Sequence, residues 1–306
     1  MHEIKKQVIL IAGGTGLVGH RLVEMLDRNK YDILVLSRNP SQSNISGITF
    51  AKWDIDKQYI EKIPIPDHIV NLAGEGIADK RWTEERKIQL ISSRVNSAKT
   101  IKKYLNDQRL KPLTYLSASA VGYYGDRNHT ILTEESEPGT GFLSECCQLW
   151  EESALETGEL CTRHILLRIG IVMSMHSGAL PKMTMTSGFG VYNYFGNGDQ
   201  YYPWIHIDDL CRMMIYCIEN DQIIGTYNAC GPNPLTNKSL IAEVKKVKNN
   251  FGIITPVPEF MLRLSMGEMA SVVLNSNNVS TIKIQSEGFR FKFPHIALAL
   301  QDLIGK

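Results

Sequence analysis

A glycine turn set directly behind an apolar run constrains this chain more than any other feature. Val8-Ile9-Leu10-Ile11-Ala12 reads as a buried strand and runs into Gly13-Gly14-Thr15-Gly16-Leu17-Val18-Gly19. From Leu17 to Leu26 the apolar residues Leu17, Val18, Leu22, Val23, Met25 and Leu26 recur at roughly helical spacing. Strand, glycines, helix is the order that a dinucleotide pyrophosphate requires. Gly13 lets the chain turn tightly, Gly16 lets backbone approach the phosphates, and Gly19 lets the helix pack close to the sheet. The helix start then offers unpaired N–H groups and a positive dipole end to the anion. Thr15, Leu17 and Val18 complete this expected cofactor-binding stretch.

The pattern that follows alternates. Strands are expected at Ile33–Leu36, Ile48–Ala51, His68–Ala73, Leu113–Ser117 and His164–Arg168, with helices at about Glu84–Leu105 and Phe142–Leu155. Such β-α alternation predicts an α/β fold, a Rossmann-type doubly wound parallel sheet that binds ligands beyond the carboxyl ends of its strands. After Ile171 the pattern changes. Residues 173–204 are rich in Met, Gly, Tyr and Ser and read as a loop or lid. Trp204–Leu210 leads into a helix, Gly225–Ala229 is a late strand and Leu240–Val247 a short helix. A Met/Leu helix runs through Val273, and Phe289, Phe291 and Phe293 alternate with Arg290 and Lys292 as in a half-buried strand. The expected division is a dinucleotide-binding domain over 1–172, completed by about 205–230, and a small C-terminal substrate lobe from 173–204 and 231–306.

Bulk properties exclude some functions. The 306 residues are 43% hydrophobic and 21% charged, as in ordinary soluble globular chains. A net charge of +1 leaves no electrostatic footprint for nucleic acid or an anionic membrane. No apolar run reaches the roughly 18 residues of a membrane span. Met1–Gln7 leads straight into a core strand and does not read as a signal peptide. Cys146, Cys147, Cys161, Cys211, Cys217 and Cys230 form no C-x-x-C pair, and buried free thiols in a cytoplasmic protein are expected. No His/Asp/Glu set stands at metal spacing.

The end of the second strand selects the cofactor. An acidic residue there would bind the 2′-hydroxyl of NAD and repel a 2′-phosphate. Here the residues are Ser37-Arg38, a hydroxyl and a guanidinium suited to phosphate, so NADP is expected over NAD. Asp54 either contacts the adenine amino group or caps a turn.

The G-x-x-G-x-x-G spacing, Asn71-Leu72-Ala73-Gly74-Glu75, Arg81-Trp82, Ser93-Arg94, Ser117–Gly125, Trp204–Leu210, Gly267–Ala270 and Gly288–Pro294 together resemble a known family over nearly the whole chain. The chain is similar to the extended short-chain dehydrogenases/reductases, the NAD(P)-dependent epimerase/dehydratases. Within them it resembles the atypical "epimerase family protein" subgroup with its own short C-terminal domain. The resemblance implies NADP contacts at Ser37, Arg38, Leu72, Ala73, Arg94 and Ile171, and a homodimer face on helices 84–105 and 142–155, although a long buried helix reads the same way. It also implies a serine after the fifth strand and a Tyr-x-x-x-Lys pair on the next helix. Ser119 fills the serine position, but Phe142 stands for the tyrosine and Cys146 for the lysine. A phenyl ring moves no proton, and a thiol supplies no fixed positive charge.

Other residues compete for the chemistry. Tyr123 and Tyr124 follow Ser119 closely and either bring a phenol to the nicotinamide or pack the loop. His206 and Asp208, on one face of a strand-like segment, are an acid/base pair or a docking element. Arg81-Trp82 binds an anionic or stacked substrate or makes a structural contact. Two functions stay open: an NADP-dependent oxidoreductase or epimerase acting on a small metabolite through Ser119, Tyr123 and Tyr124, or a catalytically degenerate NADP-dependent binding protein.

Overall fold

The structure is a computed structural model that describes residues 5–40, 47–248 and 251–305. Its strands are β1 (Gln7–Ala12), β2 (Tyr31–Ser37), β3 (Thr49–Asp54), β4 (Tyr59–Ile60), β5 (His68–Asn71), β6 (Thr114–Ala120), β7 (Ile131–Leu132), β8 (Arg163–Ile169), β9 (Ile171–Met173), β10 (Val191–Phe195), β11 (Tyr201–Tyr202), β12 (Trp204–His206), β13 (Gly225–Ala229), β14 (Leu235–Thr236), β15 (Ile253–Val257) and β16 (Asn278–Val279). Its helices are α1 (Leu17–Met25), α2 (Glu84–Gln108), α3 (Phe142–Gly158), α4 (Ala179–Thr184), α5 (Ile207–Glu219), α6 (Asn237–Lys248), α7 (Glu259–Met266), α8 (Ser271–Leu274), α9 (Ile282–Ser286) and α10 (Ile296–Ile304).

Eight strands form one sheet in the order β13-β8-β6-β5-β1-β2-β3-β4, parallel throughout except for the β3–β4 pair. Successive residues of a strand point to opposite faces, so a sheet covered on both sides needs unbroken apolar strands. Ile9 and Ile11 join the cluster under α1 and α5, with Leu22, Leu116, Leu210 and Met214. Their neighbour Leu10 joins the opposite cluster, with Leu34, Ile101, Tyr115 and Ala154, under α2 and α3. Each fully buried Leu, Ile or Val contributes about 1.5–3 kcal/mol relative to exposure. Helix α2 begins at Thr83, whose hydroxyl accepts from Arg86 N at 3.2 Å, with Glu84 and Glu85 in the favourable first turn. The chain winds from β1 outward through β2 and β3, then returns through β5 to β6 and β8. The crevice beside the carboxyl end of β1 is therefore the topological switch point.

A second core, with Met173, Tyr192, Trp204, Leu240, Val244 and Leu300, draws on both the 173–204 stretch and the C-terminal third. This corrects the expectation of a loop or lid over 173–204. That stretch contains α4, β10 and β11, and β10 pairs in parallel with β15, Val191 opposite Ile253. Its glycines 190, 196 and 198 have positive φ and serve as turns between elements. The expected Met/Leu helix is also interrupted: α7 stops at Gly267 (φ 62°) before α8 begins.

The aromatic tail is not a strand. Phe289 and Phe293 are buried and Phe291 half-buried, as the alternation requires, but among the described residues no strand pairs with this segment. Its partner is one carboxylate. Asp209, on the first turn of α5 and fully buried, accepts from Lys292 N and Phe293 N, each at 2.8 Å, and from Arg212 at 2.7 Å. All six cysteines are buried and free of disulfides. Among the described residues no helix is long and apolar enough to cross a membrane.

Truncation before Gly288 is therefore expected to lower the melting temperature and cofactor affinity. Asp209→Ala is expected to cost about 2–4 kcal/mol in denaturant unfolding, since it strands two backbone donors. An unchanged midpoint for either variant would mark the tail as dispensable.

Candidate functional site

The glycine turn is built to be close to backbone. At Gly13 (φ 80°) an added Cβ would lie 2.7 Å from the Leu72 carbonyl carbon, on the loop that leaves β5. At Gly19 it would be driven into the Gly13 carbonyl oxygen. Gly16 N donates to Gly13 O at 3.0 Å, and Gly16 begins α1 with no side-chain cap. The first N–H groups of α1 thus remain available to an anion, as a pyrophosphate cradle requires. Thr15 and Gly16 are exposed and Leu17 and Val18 half-buried at this mouth. The residues fit the dinucleotide.

Arg38, at the end of β2, is exposed, and no carboxylate stands beside it in sequence. Asp54 is a turn cap: its Oδ1 accepts from Asp56 N at 3.1 Å and Lys57 N at 3.0 Å, and these bonds hold its carboxyl below the usual range. On the other side of β1, buried Asn71 shapes the Leu72-Ala73 turn. Its Oδ1 accepts from Ala73 N at 3.2 Å, while its Nδ2 donates to Ser97 and to the Tyr115 hydroxyl. Arg94 is buried and donates to the backbone carbonyls of Leu90 (2.8 Å) and Glu75 (2.9 Å), with its guanidinium 5.0 Å above the Trp150 ring. Burial pulls Arg94 below its ordinary pKa. Ile171 is half-buried at the start of β9 and is held by a 2.7 Å bond from its N–H to the Pro203 carbonyl.

The three catalytic candidates converge, but around two residues that sequence reasoning missed. Arg168 on β8 and Glu151 on α3 form a buried ion pair, Nε to Oε1 and Nη2 to Oε2, both 2.9 Å. Ser119, 1% exposed, donates to the same Glu151 Oε1 at 2.6 Å. Tyr124 is fully buried; its hydroxyl donates to Asn228 Oδ1 at 2.6 Å and accepts from Arg168 at 3.1 Å, and burial pushes its phenol up to about 12. Tyr123 lies over the Arg168 guanidinium, 3.5 Å from ring centroid to carbon, and is half-buried. Of the three, Tyr123 alone keeps a partly open side chain.

The positions of the usual tyrosine and lysine are sealed. Phe142 and Cys146 pack with Trp82 and Leu90 under Met269 and Val272. The Trp82 ring meets Phe142 edge-on at 4.8 Å, and its Nε1 donates to Ile77 O at 2.8 Å, so Trp82 is a packing residue here. Burial raises the Cys146 thiol above its ordinary value, against use as a charge. Nor do His206 and Asp208 share a strand face. The strand ends at His206, which caps α5 by accepting from Asp208 N at 3.0 Å, while Asp208 pairs with Arg21 at 2.8 Å. The His206 ring is stacked on Phe293, and burial lowers its pKa. It is a helix cap rather than an acid/base partner.

The sequence model of the NAD dependent epimerase/dehydratase family matches residues 9–230. The chain belongs to that family. A second model, a domain of unknown function (DUF1731), matches residues 257–303 of this family member. Among curated relatives, epimerase family protein YfhF of Bacillus subtilis is 33% identical over 298 residues, covering 97% of each chain. Epimerase family protein SAR0825 of Staphylococcus aureus is 34% identical over 303 residues, covering 97% of this chain and 99% of that protein. Human epimerase family protein SDR39U1, solved with NADPH, superposes with a TM-score of 0.87 at 25% identity, over 97% of this chain and 99% of that one. The dTDP-glucose 4,6-dehydratase of Bacillus anthracis, solved with NAD, shares the fold with a TM-score of 0.72 at 17% identity, over 97% of this chain and 95% of that one. The family binds NAD(P), and its Rossmann sheet is the one found here.

Glu151→Ala in this epimerase-family chain leaves Arg168 buried without its counter-ion. Unfolding free energy is expected to fall by about 3–5 kcal/mol. A loss below about 1 kcal/mol in urea titration would show that Arg168 finds water or another acceptor.

Proposed function

We propose that this protein binds NADP(H) across the Gly13–Gly19 turn and acts as an atypical oxidoreductase or epimerase on a small metabolite. The observation that carries the cofactor choice is Arg38, exposed at the carboxyl end of β2, where an acid would select NAD. Arg38 and Ser37 hold the 2′-phosphate, the turn and the start of α1 take the pyrophosphate, and Leu72, Ala73, Arg94 and Ile171 line the remainder. The bound nicotinamide supplies hydride transfer. Residues 173–204 and 231–306 form the substrate lobe, beside a dinucleotide-binding domain over 1–172 completed by about 205–230.

The chain's own residues limit the chemistry. Within their apolar cluster Phe142 has no proton to give, and Cys146 keeps its thiol proton because burial raises its pKa. Ser119 donates its hydrogen bond to Glu151, and Tyr124 is held on both sides by Asn228 and Arg168. Tyr123, half-buried against the Arg168 guanidinium, is left as the phenol to exchange a proton with substrate. The sealed pair also favours the second reading, a binding protein that keeps its cofactor and has lost ordinary turnover.

Calorimetry is expected to show tighter binding of NADPH than of NADH, with Arg38→Ala weakening NADPH roughly tenfold or more. Equal affinities in the unmodified protein would overturn the NADP assignment.

A substrate panel is expected to give little turnover on ordinary sugar nucleotides, because general acid–base help typically contributes 10²–10⁴-fold. Whatever turnover exists should fall in Ser119→Ala, Tyr123→Phe and Tyr124→Phe, most steeply in Tyr123→Phe. Brisk turnover that survives all three changes would move the active site elsewhere.

A further inference from the structure

A row of polar side chains crosses the sheet at the amino ends of its strands. His68 opens β5, Thr114 opens β6 and Arg163 opens β8, and the three stand side by side in register. Register partners in a parallel sheet share a face. Ile9 is the β1 partner of His68, so the row faces α5. Arg163 is satisfied there: its Nη1 donates to the carbonyls of Cys217 at 2.6 Å and Ile223 at 3.2 Å, and its Nη2 to that of Ile218. His68 and Thr114 are not. His68 is 4% exposed, yet neither ring nitrogen has a hydrogen-bond partner among the described residues, and the buried Thr114 hydroxyl is likewise unpartnered. Buried polar groups are costly to leave unsatisfied. His68 lines an open cleft of about 750 Å³ at this end of the sheet.

The lining defines what the cleft can take. Tyr31 meets the imidazole edge-on, 6.1 Å between ring centroids, and Leu113, Ile218 and Ile224 supply apolar wall. The charges around it are already matched. Lys30 Nζ lies 2.9 Å from Glu219 Oε1, and Arg163 Nη2 lies 3.5 Å from Asp221 Oδ1. A ligand with a net charge would have to compete with one of these pairs. Burial, with the field of Arg163, holds His68 below its ordinary pKa. The neutral ring offers one N–H donor and one bare nitrogen acceptor. We propose that this cleft is a second small-molecule site, which takes an uncharged planar compound bearing both a hydrogen-bond donor and an acceptor, such as a carboxamide or a nitrogen heterocycle, on His68. The glycine turn meets the loop beyond Asn71, at the other end of β5. The second site is therefore separate from the dinucleotide cradle and independent of the NADP reading.

Benzamide tests this against two probes of similar size, the anion benzoate and the cation benzylamine. Each is titrated into the full chain carrying isotope-labelled histidine, and the His68 ring resonances are identified by their loss in His68→Phe or His68→Gln. Benzamide is expected to move those resonances saturably and to bind roughly tenfold more tightly than either charged probe. His68→Phe keeps a ring and removes both polar atoms. It is expected to keep or raise the melting temperature while weakening benzamide roughly tenfold. Ile224→Asp, a change at the exposed rim, sets a charge on the apolar wall and is expected to weaken benzamide roughly fivefold. His68 resonances that stay still, charged probes that bind as tightly, or benzamide affinity that survives His68→Phe would overturn the proposal and leave His68 as a ring packed on Tyr31. Should His68→Phe fail to fold, undiminished affinity in Ile224→Asp overturns it instead.

Discussion

The ion pair between Arg168 and Glu151 is the joint on which the upper sheet depends. It ties β8 to α3, draws Ser119 of β6 onto the same carboxylate, and sets the guanidinium under Tyr123 and against the Tyr124 hydroxyl. Arg168 also donates to the Glu134 carbonyl at 3.1 Å, and Glu134 Oε1 accepts from Asn228 N at 2.8 Å, which brings β13 into the network. Burying two charges is costly, and the cost is offset only when both ions are fully hydrogen-bonded. Here the fork of Arg168 meets both carboxylate oxygens, so the geometry is the bidentate kind that survives desolvation. Alone, the pair adds little net stability; it fixes which strands and helices meet.

The same joint decides what chemistry remains. An ordinary member of the superfamily places a tyrosine and a lysine on the helix that here begins with Phe142. In this chain the helix start is a hydrophobic contact with Trp82 and with Met269 and Val272 of the C-terminal segment. Lys87 reaches over the Phe142 ring and pairs with Glu268, which fastens that segment down. Positive charge and phenol are found instead at Arg168 on β8 and at Tyr123 in the turn after β6. The cofactor half keeps what a dinucleotide pyrophosphate needs: close backbone at Gly13 and Gly19 and a helix start without a side-chain cap.

Local signals made the cofactor half legible. Apolar strands of four to seven residues, glycines at a turn and a long amphipathic helix are properties of contiguous sequence, and β1, β2, β5, β6, β8, α2 and α3 lie close to where periodicity puts them. The parts that were not legible depend on distant partners. The 173–204 stretch looked irregular because β10 finds its strand partner at β15, about sixty residues later. The Phe289–Phe293 alternation was correctly read as alternate burial and wrongly read as a strand, because the groups that satisfy its backbone belong to Asp209 rather than to a sheet. His206 and Asp208 stay open in the sequence as an acid/base pair or a docking element, because spacing does not reveal where a strand gives way to a helix. Glu151 and Arg168 gave one faint signal, charged residues set in an apolar helix face and an apolar strand, where an unpaired charge would be too costly to bury.

The docking of the tail through Asp209 has a consequence for how this chain can change. The carboxylate grips N–H groups of Lys292 and Phe293, which every residue but proline carries, and reads nothing of their side chains. Side-chain identity at 290 and 292 is thereby released from the work of attachment, while position 209 carries it for the whole segment. A chain joined in this way tolerates drift, exchange or grafting of its terminal sequence, provided that no proline falls on the two gripped positions and the buried rings keep their places. The attachment belongs to the helix that receives the tail, so a single substitution there unfastens what many substitutions in the tail would leave in place.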